Sequence, residues 1–114
     1  MSSEDSKTTE AAPQVEKWDV SRDGELSEAN MRKKMEQRGY SVSRYTYPPG
    51  CTFPTHTHSI DKIDGVLEGR FEMTMMGQTV VLERGDCLAV PKHERHSARV
   101  IGNQPVVSLD AEKW

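Results

Sequence analysis

From residue 40 onward, turn-forming residues divide the chain into short segments rich in β-branched and aromatic residues, and this spacing constrains the fold more than any other feature. The turn signals are Pro48-Pro49-Gly50, Gly69, Gly77, Gly85-Asp86, Pro91 and Gly102-Asn103. The predicted strands between them are 41–47, 51–56, 62–67, 70–76, 79–83, 86–90, 96–101 and 106–109. Short strands separated by a turn about every ten residues are typical of all-β sandwiches and barrels.

The first 39 residues have a different composition. Residues 1–14 contain no Val, Ile, Leu or aromatic residue, so they cannot bury enough surface to offset the entropy of ordering, and we expect a disordered leader. Residues 15–39 are predicted to be an arm and a helix over 23–39, with Ser27 as N-cap and Gly39 as its stop. Met31 and Met35 form a narrow apolar stripe, which predicts that one edge of the helix packs against a larger structural unit. Residues 40–114 are then the β domain.

Charge and apolar patterning exclude several classes of protein. The chain has 15 Lys+Arg against 18 Asp+Glu, a formal net charge of -3, so there is no basic field for binding nucleic acid. No apolar run approaches the ~18 residues of a membrane span, and no secretory signal is recognisable. Cys51 and Cys87 form neither a disulfide framework nor a C-x-x-C pair. We therefore expect a cytoplasmic protein with reduced thiols, either buried in strands or, for one of them, reactive near the site.

All four histidines lie between positions 56 and 96. His56 and His58 are two apart, so on a strand both imidazoles lie on one face and can converge on a divalent metal. Such pairs are also common on surfaces without a metal. His96, in a separate turn-rich stretch with His93, is a candidate third ligand from a distant strand. His93 itself is expected in an exposed loop or at the mouth of the site.

Two longer motifs, which follow each other along the chain, contain these histidines and make the pattern more specific. The first is Gly50-x5-His56-x-His58-x10-Gly69, and the second is Gly85-Asp86-x4-Pro91-x4-His96. Together they resemble the paired motifs of the cupin superfamily, over roughly residues 40–109. The resemblance implies a small antiparallel jelly-roll barrel. It also implies a divalent metal, Fe, Mn, Ni or Zn, held inside by His56, His58 and His96.

The chain departs from the cupin pattern at several positions. Cupins usually place a Glu seven residues before the closing glycine of the first motif, and here that residue is Lys62, which cannot ligate a metal. Strand alternation places Asp64, not Asp61, on the same face as Lys62. Three arrangements stay open: Asp64 replaces the missing carboxylate, Lys62 and Asp64 form an inward ion pair beside a three-histidine metal, or Lys62 extends to the barrel mouth and no metal binds tightly. In the second motif, His93 stands where the family usually has glycine.

Two functions follow from this pattern. The first is a metalloenzyme acting on a small, anionic molecule, with Lys62 or Asp64 transferring protons; the resemblance implies a dioxygenase, isomerase or decarboxylase without choosing among them. The second is a non-catalytic binding or sensing module without a tightly bound metal, in which Lys62 contacts a ligand anion.

Assembly is a separate expectation. Cupins are commonly dimers, and we expect a homodimer. The ends of the chain, 15–20 and 105–114, are expected to cover exposed sheet edges.

Overall fold

A computed structural model describes residues 12–114; the predicted leader over 1–14 falls mostly on residues 1–11, which lie outside the described residues. The nine strands of the described range are β1 (Val15–Glu16), β2 (Ser41–Tyr47), β3 (Thr52–His56), β4 (Asp61–Glu68), β5 (Arg70–Met75), β6 (Gln78–Leu82), β7 (Cys87–Val90), β8 (His96–Ile101) and β9 (Val106–Lys113). The helices are α1 (Val20–Asp23) and α2 (Glu28–Gln37).

The strands form two antiparallel sheets. One has the order β1-β7-β4-β9-β2 and the other β3-β8-β5-β6. The predicted all-β, jelly-roll class is confirmed. The described strands nevertheless form two separate hydrogen-bonded sheets, not one closed barrel, so the site lies between two sheets. Within residues 12–114, neither helix is long and apolar enough to cross a bilayer.

The main core lies between the sheets. Phe71, Met73 and Met75 are buried along β5, whereas the intervening Glu72 and Thr74 are not, which is the alternation expected for a half-buried strand. Opposite them, the five-stranded sheet contributes Val66, Leu88, Val90 and Val106. The apolar residues therefore fill much of the space between the sheets and leave only part of it for a site.

Helix α2 packs on the outer face of the five-stranded sheet. Ser27 is its N-cap, as predicted, because its hydroxyl accepts the Asn30 N–H at 3.1 Å. Met31 and Met35 are buried in a second cluster with Ile63, Leu67, Val107, Leu109 and Ala111. The helix begins five residues later than predicted, because residues 20–23 form the separate helix α1, capped by Asp19.

The C-terminal strand differs most from expectation. It was predicted to end at residue 109, but β9 continues to Lys113 and pairs with β4 on one side and β2 on the other. The expectation that 105–114 covers a sheet edge is therefore wrong, since this strand is central. The other arm does lie at an edge, where Val15 and Glu16 pair with β7. The extra length of β9 carries Asp110 and Glu112 towards the interior.

Candidate functional site

Three of the four histidines converge. One ring nitrogen from each of His56, His58 and His96 lies within 4.8 Å of the other two. The Nε2 atoms of His56 and His58 are 3.1 Å apart. Two imidazole ligands at about 2.1 Å from one ion, at angles between a right angle and the tetrahedral angle, would be about 3.0–3.4 Å apart. The spacing of His56 and His58 therefore matches that of two ligands of one ion, and the three histidines together could hold a metal.

The sheet positions two of these histidines and a loop positions the third. His56 ends β3 and lies directly across from His96, the first residue of β8, after a register shift between Phe53 and His56. His58 lies beyond the end of β3, as it lay beyond the predicted strand 51–56, so strand alternation is not what places its ring beside that of His56. The His58 carbonyl accepts the His93 N–H at 2.7 Å, which holds this loop to the loop before β8.

Backbone carbonyls orient two of the rings. Nδ1 of His56 lies 2.7 Å from the Pro54 carbonyl oxygen, and Nδ1 of His96 lies 2.9 Å from that of Glu94. Because a carbonyl oxygen can only accept, Nδ1 carries the proton in both rings. In the neutral imidazole this leaves the Nε2 lone pair free for a metal, the usual arrangement in metal-binding histidines.

The surroundings favour the neutral form of two of the three rings, His58 and His96. Burial lowers the pKa of His58 below its ordinary value, and the charge of Lys62 lowers it further. Burial likewise lowers the pKa of His96, more than its bond to the Glu94 carbonyl raises it. The lowered pKa values favour the neutral imidazole over the imidazolium in both rings, and metal ligation requires the neutral form.

His93 lies outside the cluster. It is exposed and its backbone has a φ of 68°, a left-handed conformation that glycine adopts without strain. This explains why the resemblance predicts glycine at this position. His93 contributes its backbone N–H to the site loops, and its side chain is not one of the three converging rings.

The histidines open into a cavity of about 140 Å³ between the sheets. One wall carries the histidines, and the wall formed by β4 and β9 carries Lys62, Asp64 and Asp110. The remaining lining residues are Tyr47, Phe53, Phe71, Met73 and Ala98. The rings of Tyr47, Phe53 and Phe71 contact one another with centroids 4.9 to 5.9 Å apart. A small ligand in this cavity would lie between imidazoles on one side and carboxyl groups on the other.

Lys62 is directed inward and is ion-paired. Its Nζ donates to Asp110 Oδ2 at 2.9 Å and to Glu112 Oε2 at 3.2 Å, and its side chain is only 11% exposed. Of the three arrangements considered from sequence, extension to the mouth does not occur. An inward ion pair does form, but its partners are Asp110 and Glu112 of β9 rather than Asp64.

Asp64 lies beside Lys62 on the cavity wall, as strand alternation predicts. It stands directly opposite Asp110 in the β4–β9 register. It is not part of the converging histidine group, so the structure gives no support to Asp64 as a replacement ligand. Burial and, second, the charge of Asp110 together raise the pKa of Asp64 to about 7, although the charge of Lys62 partly opposes them. Asp61 lies elsewhere and accepts the Lys92 N–H at 2.9 Å.

Asp110 and Glu112 are the site residues that sequence reasoning missed. Both lie beyond residue 109, where the last strand was predicted to end. A usable signal was present, because Val107, Leu109 and Ala111 alternate with Ser108, Asp110 and Glu112. Continued alternation of this kind predicts a longer strand with one polar face, and in the structure Asp110 of that face lines the cavity.

The two cysteines are free and partly buried. Burial raises the pKa of Cys87 to about 11, so its thiol is protonated at neutral pH. Cys51 packs against the inter-sheet core, and its carbonyl accepts the Val100 N–H at 2.8 Å. Neither cysteine is among the residues that line the cavity.

Fold and site together define a double-sheet jelly roll with an inward histidine triad. The chain belongs to the cupin family, since the cupin domain model matches residues 43–112. We found no significant match among curated protein sequences.

Solved structures share the fold. KdgF from Halomonas sp. is 24% identical with a TM-score of 0.59, covering 66% of this chain and 69% of that one. DMSP lyase DddQ from Ruegeria pomeroyi is 25% identical with a TM-score of 0.60, covering 66% of this chain and 38% of that one. The cupin domain of Schizosaccharomyces pombe Cnp3 is 19% identical with a TM-score of 0.61, and the match covers 65% of this chain but only 55% of that one.

Proposed function

We propose that this protein is a small metal-binding cupin that holds a divalent metal on His56, His58 and His96 and acts on a small anionic molecule in the adjoining cavity. The convergence of the three imidazole nitrogens within 4.8 Å carries the proposal. The bound ion would supply Lewis acidity and positions for substrate oxygen atoms. Imidazole ligands suit Fe, Mn, Ni and Zn, and the donor set does not choose among them.

An enzymatic role is the form of this proposal that we favour. Lys62 and Asp64 face the histidines across the cavity, where groups that transfer protons to a metal-bound molecule would have to lie. Among proteins of similar structure there is a DMSP lyase, so catalysis is represented on this fold. A purely binding function through Lys62 is less well supported, because that ammonium group already has two carboxylate partners.

Elemental analysis of the purified protein, before and after reconstitution with each metal, tests the site. We expect about one equivalent of metal per chain in the wild type and a loss of uptake in His96→Ala, since the site then has two ligands. His93→Ala is the matched control, because it removes an exposed histidine outside the triad and should bind metal normally.

Two results would contradict the proposal. One is wild-type protein that takes up no metal on reconstitution. The other is thermal stabilisation by small carboxylates that is equally strong with and without metal, which would favour the sensing function instead.

A further inference from the structure

Asp64 and Asp110 have an arrangement that a three-histidine metal site does not require. They are directly opposed on β4 and β9 and both line the cavity. Oδ2 of Asp110 accepts from Lys62, but Oδ1 is sealed from solvent and has no hydrogen-bond partner among the described residues. A buried acceptor without a donor destabilises the fold, because the hydrogen bonds that it made to water are not replaced.

A proton on Asp64 would supply the missing donor. Adjacent carboxylates resist joint ionisation, so such pairs tend to retain one proton. The charged and titratable groups facing the pair are Lys62 on β4, Glu112 on β9, Tyr47 on β2 and the histidines across the cavity. Lys62 is the cation in this set, and it is shared with Glu112. Its charge is therefore insufficient to hold both aspartates ionised.

We propose that Asp64 and Asp110 hold one proton between them and that this pair donates and accepts protons for a small 2-oxo carboxylate bound at the three histidines. The inference rests on the proposed metal site and specifies its chemistry. A divalent ion held by three imidazoles would bind further oxygen ligands, such as the carboxylate and carbonyl oxygens of this substrate. The cavity of about 140 Å³ limits the substrate to a small molecule.

The singly protonated pair suits a proton transfer at carbon. The C–H bond next to the carbonyl breaks, its proton moves to the ionised carboxylate, and the electron pair moves towards the carbonyl oxygen. The protonated carboxyl group then returns a proton to carbon. Nothing is oxidised or reduced, so no oxidant is needed. This favours isomerisation over oxidative cleavage, because isomerisation breaks and re-forms a C–H bond without an oxidant.

The shared proton is tested on the metal-free full-length protein by ¹³C NMR titration of labelled aspartate carboxyl groups. We expect one aspartate to titrate near neutral pH in the wild type and this titration to be absent in Asp64→Asn. Asp110→Asn should move the Asp64 titration downward by about one pH unit, and Lys62→Met should move it upward by a similar amount. Partial unfolding would move the Asp64 titration in the same direction in both variants, so shifts in opposite directions would report the local charges. Lys62→Gln replaces Lys62→Met if the latter does not fold.

The catalytic role is tested with zinc-loaded protein and pyruvate in deuterated water. Deuterium should enter the pyruvate methyl group about 100-fold faster with wild type than with Asp110→Asn, the size expected for general acid–base catalysis. Asp110→Asn should still bind zinc, and His96→Ala should lose zinc yet keep the aspartate titration.

These outcomes separate the two proposals. If the wild type binds no zinc, the metal site is overturned and the shared proton is not. Titration of both aspartates well below neutral pH overturns the shared proton. A neutral titration with no deuterium exchange in the zinc-loaded wild type overturns the catalytic role of the pair.

Discussion

At the scale of single residues, one lysine reorganises the charge of the cavity. Lys62 stands where cupins usually place a ligating Glu, and its ammonium group binds Asp110 and Glu112 instead of a metal. The carboxyl groups of Asp64 and Asp110 lie on the same wall as Lys62 and are not part of the converging histidine group. Metal ligation and proton transfer would then depend on different side chains, and each can be altered by itself.

Asp64 makes the stability of the fold depend on pH. Its folded-state pKa of about 7 lies above the ordinary value near 4, so the folded protein binds this proton more tightly than the unfolded chain. The contribution of Asp64 to stability is therefore full below about pH 4 and is lost as pH rises through 7. The side chain at this position in the Asp64→Asn variant cannot ionise, so this loss does not occur in the variant. We therefore expect the free energy of unfolding of Asp64→Asn, minus that of the wild type, to increase by on the order of 2 kcal/mol between pH 5 and pH 8. Urea unfolding at the two pH values measures this; an unchanged difference would contradict it.

His93 carries backbone strain that can be relieved. A φ of 68° costs a non-glycine residue about 1 kcal/mol in the folded state. Glycine removes this cost, but it also makes the unfolded chain more flexible, which offsets part of the gain in stability. We expect His93→Gly to raise the free energy of unfolding by about 0.5 kcal/mol and to leave metal content unchanged. His93→Ala keeps the Cβ and should show no such gain. Equal stability of the two variants in chemical denaturation would argue against strain at this position.

At the scale of elements, α2 is attached through two methionines. Met31 and Met35 are 0% and 2% exposed and pack on the outer face of the five-stranded sheet. A Cβ at Gly65 on β4 would lie 2.7 Å from the Met31 Sδ atom, which shows how closely the helix approaches the strand. The helix therefore covers the outer face of the same strand that carries Lys62 and Asp64 on its inner face.

We expect Met31→Ala to lower the free energy of unfolding by about 2–4 kcal/mol, because it leaves a cavity under the helix. Lys33→Ala, on the exposed side of the same helix, is the control and should change it by less than about 0.5 kcal/mol. Thermal or urea denaturation measures both. A small effect of Met31→Ala would mean that the helix contributes little to the fold.

At the scale of the whole molecule, assembly stays a prediction. In the described part of the chain, β2 is one of the two edge strands of its sheet, and Tyr45 on it is 46% exposed and stacked on Tyr47. Exposed strand edges favour pairing with another chain. We expect light scattering with size-exclusion chromatography to give twice the 12.9 kDa of one chain, and Tyr45→Lys to weaken the dimer. Val81→Lys, on the edge strand β6 of the other sheet, is the control, and a monomeric wild type would contradict the prediction.

The sequence predicted more of the fold than of the site. The strands 41–47 and 96–101 were predicted with their observed bounds, because turn residues follow them directly, at Pro48 and Gly102. The histidine triad was also predicted, since its motif spacing is local to two segments. Asp110 and Glu112 were missed because no turn residue marks the true end of β9, and their partner Lys62 lies some fifty residues away in the chain. Interactions of that range leave no local pattern.

By itself, the sequence determined the strand periodicity, the capped helix and the two histidine motifs, because each depends on neighbours within a few residues. Only the tertiary structure decided that β9 lies between β4 and β2, that Lys62 pairs with β9, and that Asp64 and Asp110 oppose each other across the ladder. These features depend on register between strands far apart in the chain. Since a shift of one residue reverses every side chain between the core face and the solvent face, that register determined which charges enter the cavity.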